Sequence, residues 1–141
     1  MYGDTEVVRG LAKGLRRQGD AIRAEAGWLA QRSEEAAWSG LAAEAMRTRV
    51  GDQVASLHHT ARLHDDAADA LDLHAAEVDR IKALIAAIEA KALALVAAAK
   101  ERLTGLAAAV LPDQVDELLA RFVPPPTGHR DWLRVDLPGL S

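Results

Sequence analysis

The chain has 141 residues and a formal net charge of −4, and half of its residues are apolar, with only one Phe, one Tyr and three Trp for aromatic bulk. That length suits one domain, an acidic balance without a basic face argues against a nucleic-acid partner, and the lack of cysteine excludes disulfides, thiolate catalysis and thiolate metal sites. No run alternates β-branched and aromatic residues as strands require, so the composition points to an all-α fold of closely packed helices.

Residues 1–6 lack the charged stretch followed by an apolar run that a Sec signal requires, so export would need a signal-peptide-independent route. Asp4 or Thr5 is a suitable N-cap. From there Val8, Leu11, Leu15, Ile22, Ala26 and Leu29 recur at helical spacing to near Ser33, which predicts the first helix. Gly10, Gly14, Gly19 and Gly27 fall inside it, although each weakens a helix interior by about 1 kcal/mol against alanine. They mark either a helix held by tertiary contacts, where small residues let a neighbouring backbone come close, or only a weak, glycine-tolerant helix.

The stretch Ala37-Trp38-Ser39-Gly40-Leu41 predicts a reversal: Ser39 can cap the following helix, and Gly40 tolerates a turn conformation that a Cβ would strain. Trp38 is placed to lie over the end of a helix pair and fix its angle. Beyond the turn, Gly51 is the only Gly or Pro before Gly105, so the second helix is expected to run for about 64 residues. Its seam passes through Met46, Val50, Val54, Leu57, Ala61, His64, Ala68, Leu71, Ala75 and Val78. It continues after an irregular step at Ile81 through Ile85, Ile88, Ala92, Leu95, Ala99, Leu103 and Leu106.

At 1.5 Å per residue the first helix spans roughly 44 Å and the second roughly 96 Å. One arm covers only half of the other. Ile81, Ile85, Ile88, Leu95 and Leu103 are therefore expected to form an uncovered strip that serves as an association surface. Pro112 and Asp113 begin a short helix, with Val115, Leu118, Leu119 and Phe122 on one face, and Pro124-Pro125-Pro126 ends it. The organisation expected is a long antiparallel helical hairpin over residues 1–111, a short C-terminal helix over 112–123 and an extended Pro-rich tail over 124–141.

His58, His59, His64 and His74 lie near Asp65, Asp66, Asp69 and Asp72, yet no two of the histidines have the i, i+3 or i+4 separation of helical metal ligands. His64 reads as a partly buried, hydrogen-bonded seam residue, and the aspartates as a solvated face with Arg62 available to Asp66. No nucleophile elbow, glycine loop or paired-carboxylate motif gathers catalytic groups, so the reading is non-catalytic, without metal or cofactor. Residues 1–33 carry four acidic and six basic side chains, whereas residues 41–80 carry eight and four, a bias that favours pairing of the two arms. Residues 83–99 are apolar apart from Glu89 and Lys91, too short and too charged for a good membrane span.

The Trp38-Ser39-Gly40 turn between two alanine-rich helices resembles the WXG family, the small Esx-like substrates of type VII secretion, over about residues 5–80. The resemblance implies a helical dimer in a four-helix bundle, formed with itself or with a second WXG-like chain. It also implies passage by the type VII machinery through or beyond the cell envelope of a high-GC actinobacterium. The family's Tyr-x-x-x-acid export motif after the hairpin is missing, since Tyr2 is the only tyrosine. Trp132 to Asp136 keeps the aromatic-to-acid spacing and is a candidate export element, or else a tail that docks its tryptophan. The competing class is an intracellular coiled-coil adaptor, chaperone or targeting factor for a larger exported protein.

Overall fold

The computed structural model describes residues 3–36, 39–106 and 114–141. Trp38, Tyr2, Pro112 and Asp113 lie outside the described residues, and so do the roles expected of them. The described residues form α1 (Thr5–Glu35), α2 (Leu41–Leu106), α3 (Gln114–Ala120) and a 3-10 turn (Arg130–Arg134), with no strand among them. The all-helical reading holds.

Asp4 caps α1: its carboxylate accepts the backbone N–H groups of Glu6 at 3.0 Å and Val7 at 3.4 Å. Glu6 in the first turn and Arg32 in the last suit the helix dipole. At the other end the chain leaves α1 through an extended Ala36, whose carbonyl accepts a bond from Arg47 at 3.4 Å. Gly40 has φ +101°, the left-handed region expected of it. Its carbonyl accepts the first intrahelical bond of α2, from the Glu44 N–H at 3.1 Å. Gly40 therefore occupies the N-cap position expected of Ser39. From Leu41 the helix is continuous for 66 residues and passes through Gly51 without a break.

The contacts divide the chain into two compact units, Asp4–Ala76 and Glu77–Ser141 with Gly3, and α2 contributes to both. In the first unit the deepest positions of α1 are Thr5, Ala12, Gly19 and Ala26, spaced by seven. Those of α2 include Ala61, Ala68 and Ala75, also spaced by seven. Small residues at that period let two helices approach closely, and Gly19 shows how closely. A Cβ there would stand 3.3 Å from the Ala61 carbonyl oxygen and 3.0 Å from an Asp65 carboxylate oxygen. Val8, Leu15, Ile22 and Leu29 flank this column half-buried, but Leu11 is 58 % exposed and leaves the stripe expected of it. Met46, at the head of the expected seam, is also exposed.

In the second unit the deep column of α2 is Val78, Ile85, Ala92 and Ala99. Leu119 of α3, Trp132 of the 3-10 turn and Leu137 close over Ile85, Ala92 and Ala99, with Ile81, Ile88, Leu95, Phe122, Val135 and Leu140 packed at the edge. The uncovered strip is thus corrected: the chain covers it with its own C-terminal residues. Periodicity alone hid this, because a segment broken by prolines has no helical repeat to match against the seam.

Candidate functional site

The residues singled out in the sequence do not converge on one site. Ser39 and Gly40 sit exposed at the turn. Ile85 is 1 % exposed and belongs to the core of the second unit, Ile81, Ile88 and Leu95 pack against that core, and Leu103 is half-buried. Their expected role as a free association surface is withdrawn because the strip has an intrachain occupant. Trp132 is 1 % exposed, and its indole N–H donates to the Pro126 carbonyl at 3.0 Å. The Phe122 ring stands 6.1 Å away at a tilt of 56°. Burying the ring with its one donor satisfied makes Trp132 a docking residue of the tail, while Asp136 stays exposed. The extended tail is likewise corrected to a folded cover.

Two polar links that the sequence reading missed fasten this cover. The Gly128 N–H donates to Glu89 at 3.1 Å, which gives one of the two central charges of residues 83–99 a structural partner. Arg102 donates to both carboxylate oxygens of Asp116, at distances from 2.7 to 3.1 Å. That paired bond holds the Asp116 carboxyl below the usual carboxylate range. Asp116 is buried and Leu119 lies beside it, whereas Val115 and Leu118 are exposed, so α3 turns a different face inward than its apolar pattern implied. An aspartate three residues before a buried leucine, with an arginine on the preceding helix, is the pattern that identifies this face in retrospect.

The aspartates of the first unit are also partnered rather than merely solvated. Arg16 pairs with Asp69 at 2.8 Å and with Asp72 at 2.7 Å, and Arg23 pairs with Asp65. Hydrogen bonds to these carboxylates hold both guanidiniums firmly protonated. Asp65, Asp69 and Asp72 thus find their cations on α1. His64 is half-buried and its Nδ1 bonds to the Thr60 carbonyl at 2.9 Å, as a seam histidine should. Because a carbonyl only accepts, Nδ1 carries the proton.

Large apolar side chains are exposed on every helix, among them Leu41 and Leu73 on α2 as well as three on α1. Val7 and Leu11 are each 58 % exposed and Trp28 is 55 % exposed, with the Arg32 guanidinium 5.3 Å from the Trp28 ring centroid. A cleft of about 290 Å³ opens where α1 ends and α2 begins, with Ala30, Val50 and Val54 giving apolar walls and Glu34 and Arg47 charged ones. Among the described residues no group of three His, Cys, Asp or Glu is arranged to hold a metal ion. Likewise no helix among them is long and apolar enough to cross a membrane. What the fold defines is a class, an all-helical protein with one very long helix. Compared with known proteins, the chain matches no family model, no curated protein and no solved structure.

Proposed function

We propose that this chain is a non-catalytic helical binding protein whose first 76 residues form an antiparallel helical hairpin, and that it acts by packing helices against itself or a partner chain. One observation carries the reading: α1 is committed on one side to small, buried residues spaced by seven, and presents Val7, Leu11 and Trp28 to solvent on another. A helix with one face filled and a second apolar face open is suited to a further helix. The order of the pairs supports the hairpin, since Arg16 meets Asp69 and Asp72 while Arg23 meets Asp65. Together with the Trp38-Ser39-Gly40 turn, this supports the resemblance to WXG-type substrates of type VII secretion and an envelope or extracellular destination.

The competing role, an intracellular adaptor or escort for an exported protein, has a specific observation in its favour. Trp132, the aromatic residue of the candidate export element, is buried in the core and so is withheld from a receptor. The test is to follow the full chain in cells with and without a working type VII secretion ATPase. Appearance in culture filtrate only when the ATPase is intact supports export. Retention inside the cell in both cases overturns it in favour of the escort role.

A further inference from the structure

We propose that the cleft where α1 ends and α2 begins is a binding site for a peptide N-terminus whose first residue is aliphatic. It stands apart from the helix-packing face of α1 and from the question of export. The cleft forms where the small-residue seam gives out. Thr5, Ala12, Gly19 and Ala26 are buried, but Ser33, the next residue at the period of seven, is only half-buried, and so are Val50 and Val54 of α2, which line the cleft with it. At about 290 Å³ the space falls just below the roughly 300–1,000 Å³ of small-molecule pockets, and it is open to solvent. It therefore suits one residue of a chain that continues outward rather than a cofactor.

The polar groups define the class of ligand. Asp65, Asp69 and Asp72 of the same hairpin each meet an arginine, whereas Glu34 and the Ser33 hydroxyl, both lining the cleft, have no hydrogen-bond or ion-pair partner among the described residues. An unpaired carboxylate with a hydroxyl next to it accepts what an ammonium group donates. Arg47 is held by the chain itself, through the Ala36 carbonyl at 3.4 Å, so the ligand's charge partner is Glu34. The carbonyl oxygens that follow a peptide's terminal ammonium also suit the positive wall at Arg47, which the tip of a lysine side chain does not. Gly51 completes the site. It weakens the interior of α2 relative to alanine, yet none of the described residues comes within 4 Å of a Cβ built on it. Packing among the described residues does not require a glycine there, but a side chain would enter the space that an aliphatic residue fills against Ala30, Val50 and Val54.

The test is fluorescence anisotropy on the full chain, with the pentapeptide Leu-Ala-Ser-Gly-Ser labelled at its C-terminus. Saturable binding is expected, weakened about tenfold or more when the peptide is N-acetylated or begins with Ser in place of Leu. Glu34→Gln should weaken it by a similar factor, and Glu25→Gln, an exposed carboxylate elsewhere on α1, should leave it unchanged. Gly51→Leu should abolish binding while circular dichroism and the thermal melt show the helices intact. No saturation up to about 1 mM overturns the proposal. If binding then appears in Trp38→Ala, the cleft belongs to the chain's own turn. Equal affinity for the free and acetylated peptides, or for Gly51→Leu and wild type, overturns the site as well.

Discussion

The two units bury the same helix by opposite means. In the first, α2 offers Ala61, Ala68 and Ala75 to the Thr5, Ala12, Gly19 and Ala26 column of α1. In the second lie Trp132, Ile85 and Leu119, the largest fully buried side chains among the described residues. A seam of small side chains gains its stability from the close approach of two backbones, so added atoms should harm it most. A core built around one indole depends on filled volume, so removed atoms should harm it most. The comparison teaches that heptad spacing tells where a helix is buried but not what buries it.

The largest effect is expected from removal in the second unit. Trp132→Ala should cost about 3–5 kcal/mol in thermal or chemical denaturation, because it empties the space over Ile85, Ala92 and Ala99 and orphans the Pro126 carbonyl. A melt that barely moves would show that the tail does not hold this unit together. Addition in the first unit comes next. Gly19→Leu must displace the Ala61 carbonyl, 3.3 Å from the new Cβ, and should destabilise the chain by roughly 1–3 kcal/mol. If it melts like wild type, the close approach of α1 and α2 is wrong.

The contrast sharpens at Gly27, eight residues further along the same helix, where a Cβ meets none of the described residues within 4 Å. Gly27→Ala should stabilise the chain by up to about 1 kcal/mol, so an added side chain has opposite signs at the two glycines. A loss of stability at Gly27 would mean that its face is already occupied.

The smallest effect at neutral pH concerns the Arg102–Asp116 link. Asp116 has its carboxyl depressed in the folded state by the Arg102 bond, so its contribution is present above the unfolded carboxylate value, about 4, and is lost as pH falls through the lower folded value. Asp116→Asn should therefore flatten the acid side of the stability curve while changing little of its shape above about pH 6. An unchanged acid limb would show that the pair is not coupled to folding.

Much of the secondary structure was readable from residues alone. Asp4, Gly40 and the long interval without a breaker set the ends of α1 and the continuity of α2, since caps and breakers act locally. The meaning of the four glycines in α1 was not readable, because only the facing helix decides that Gly19 is crowded and Gly10 and Gly27 are open. The fate of the distal strip was also hidden. Trp132 and Leu137 lie in a non-periodic segment, and their pairing with Ile85, Ala92 and Ala99 depends on the fold-back of the chain rather than on any repeat. The buried Asp116 ran against its apolar neighbours for a similar reason: Arg102, 14 residues away, determines its environment.

The most direct test of two separately built units is residue-resolved hydrogen exchange on the full chain, wild type against Trp132→Ala. Loss of protection along the described residues of 77–137, with the protection of residues 8–35 and 45–70 retained, is the result predicted by a second unit held by its own tryptophan. A uniform loss of protection from α1 to the C-terminus would contradict it, and would mean that the alanine seam and the tryptophan core melt as one.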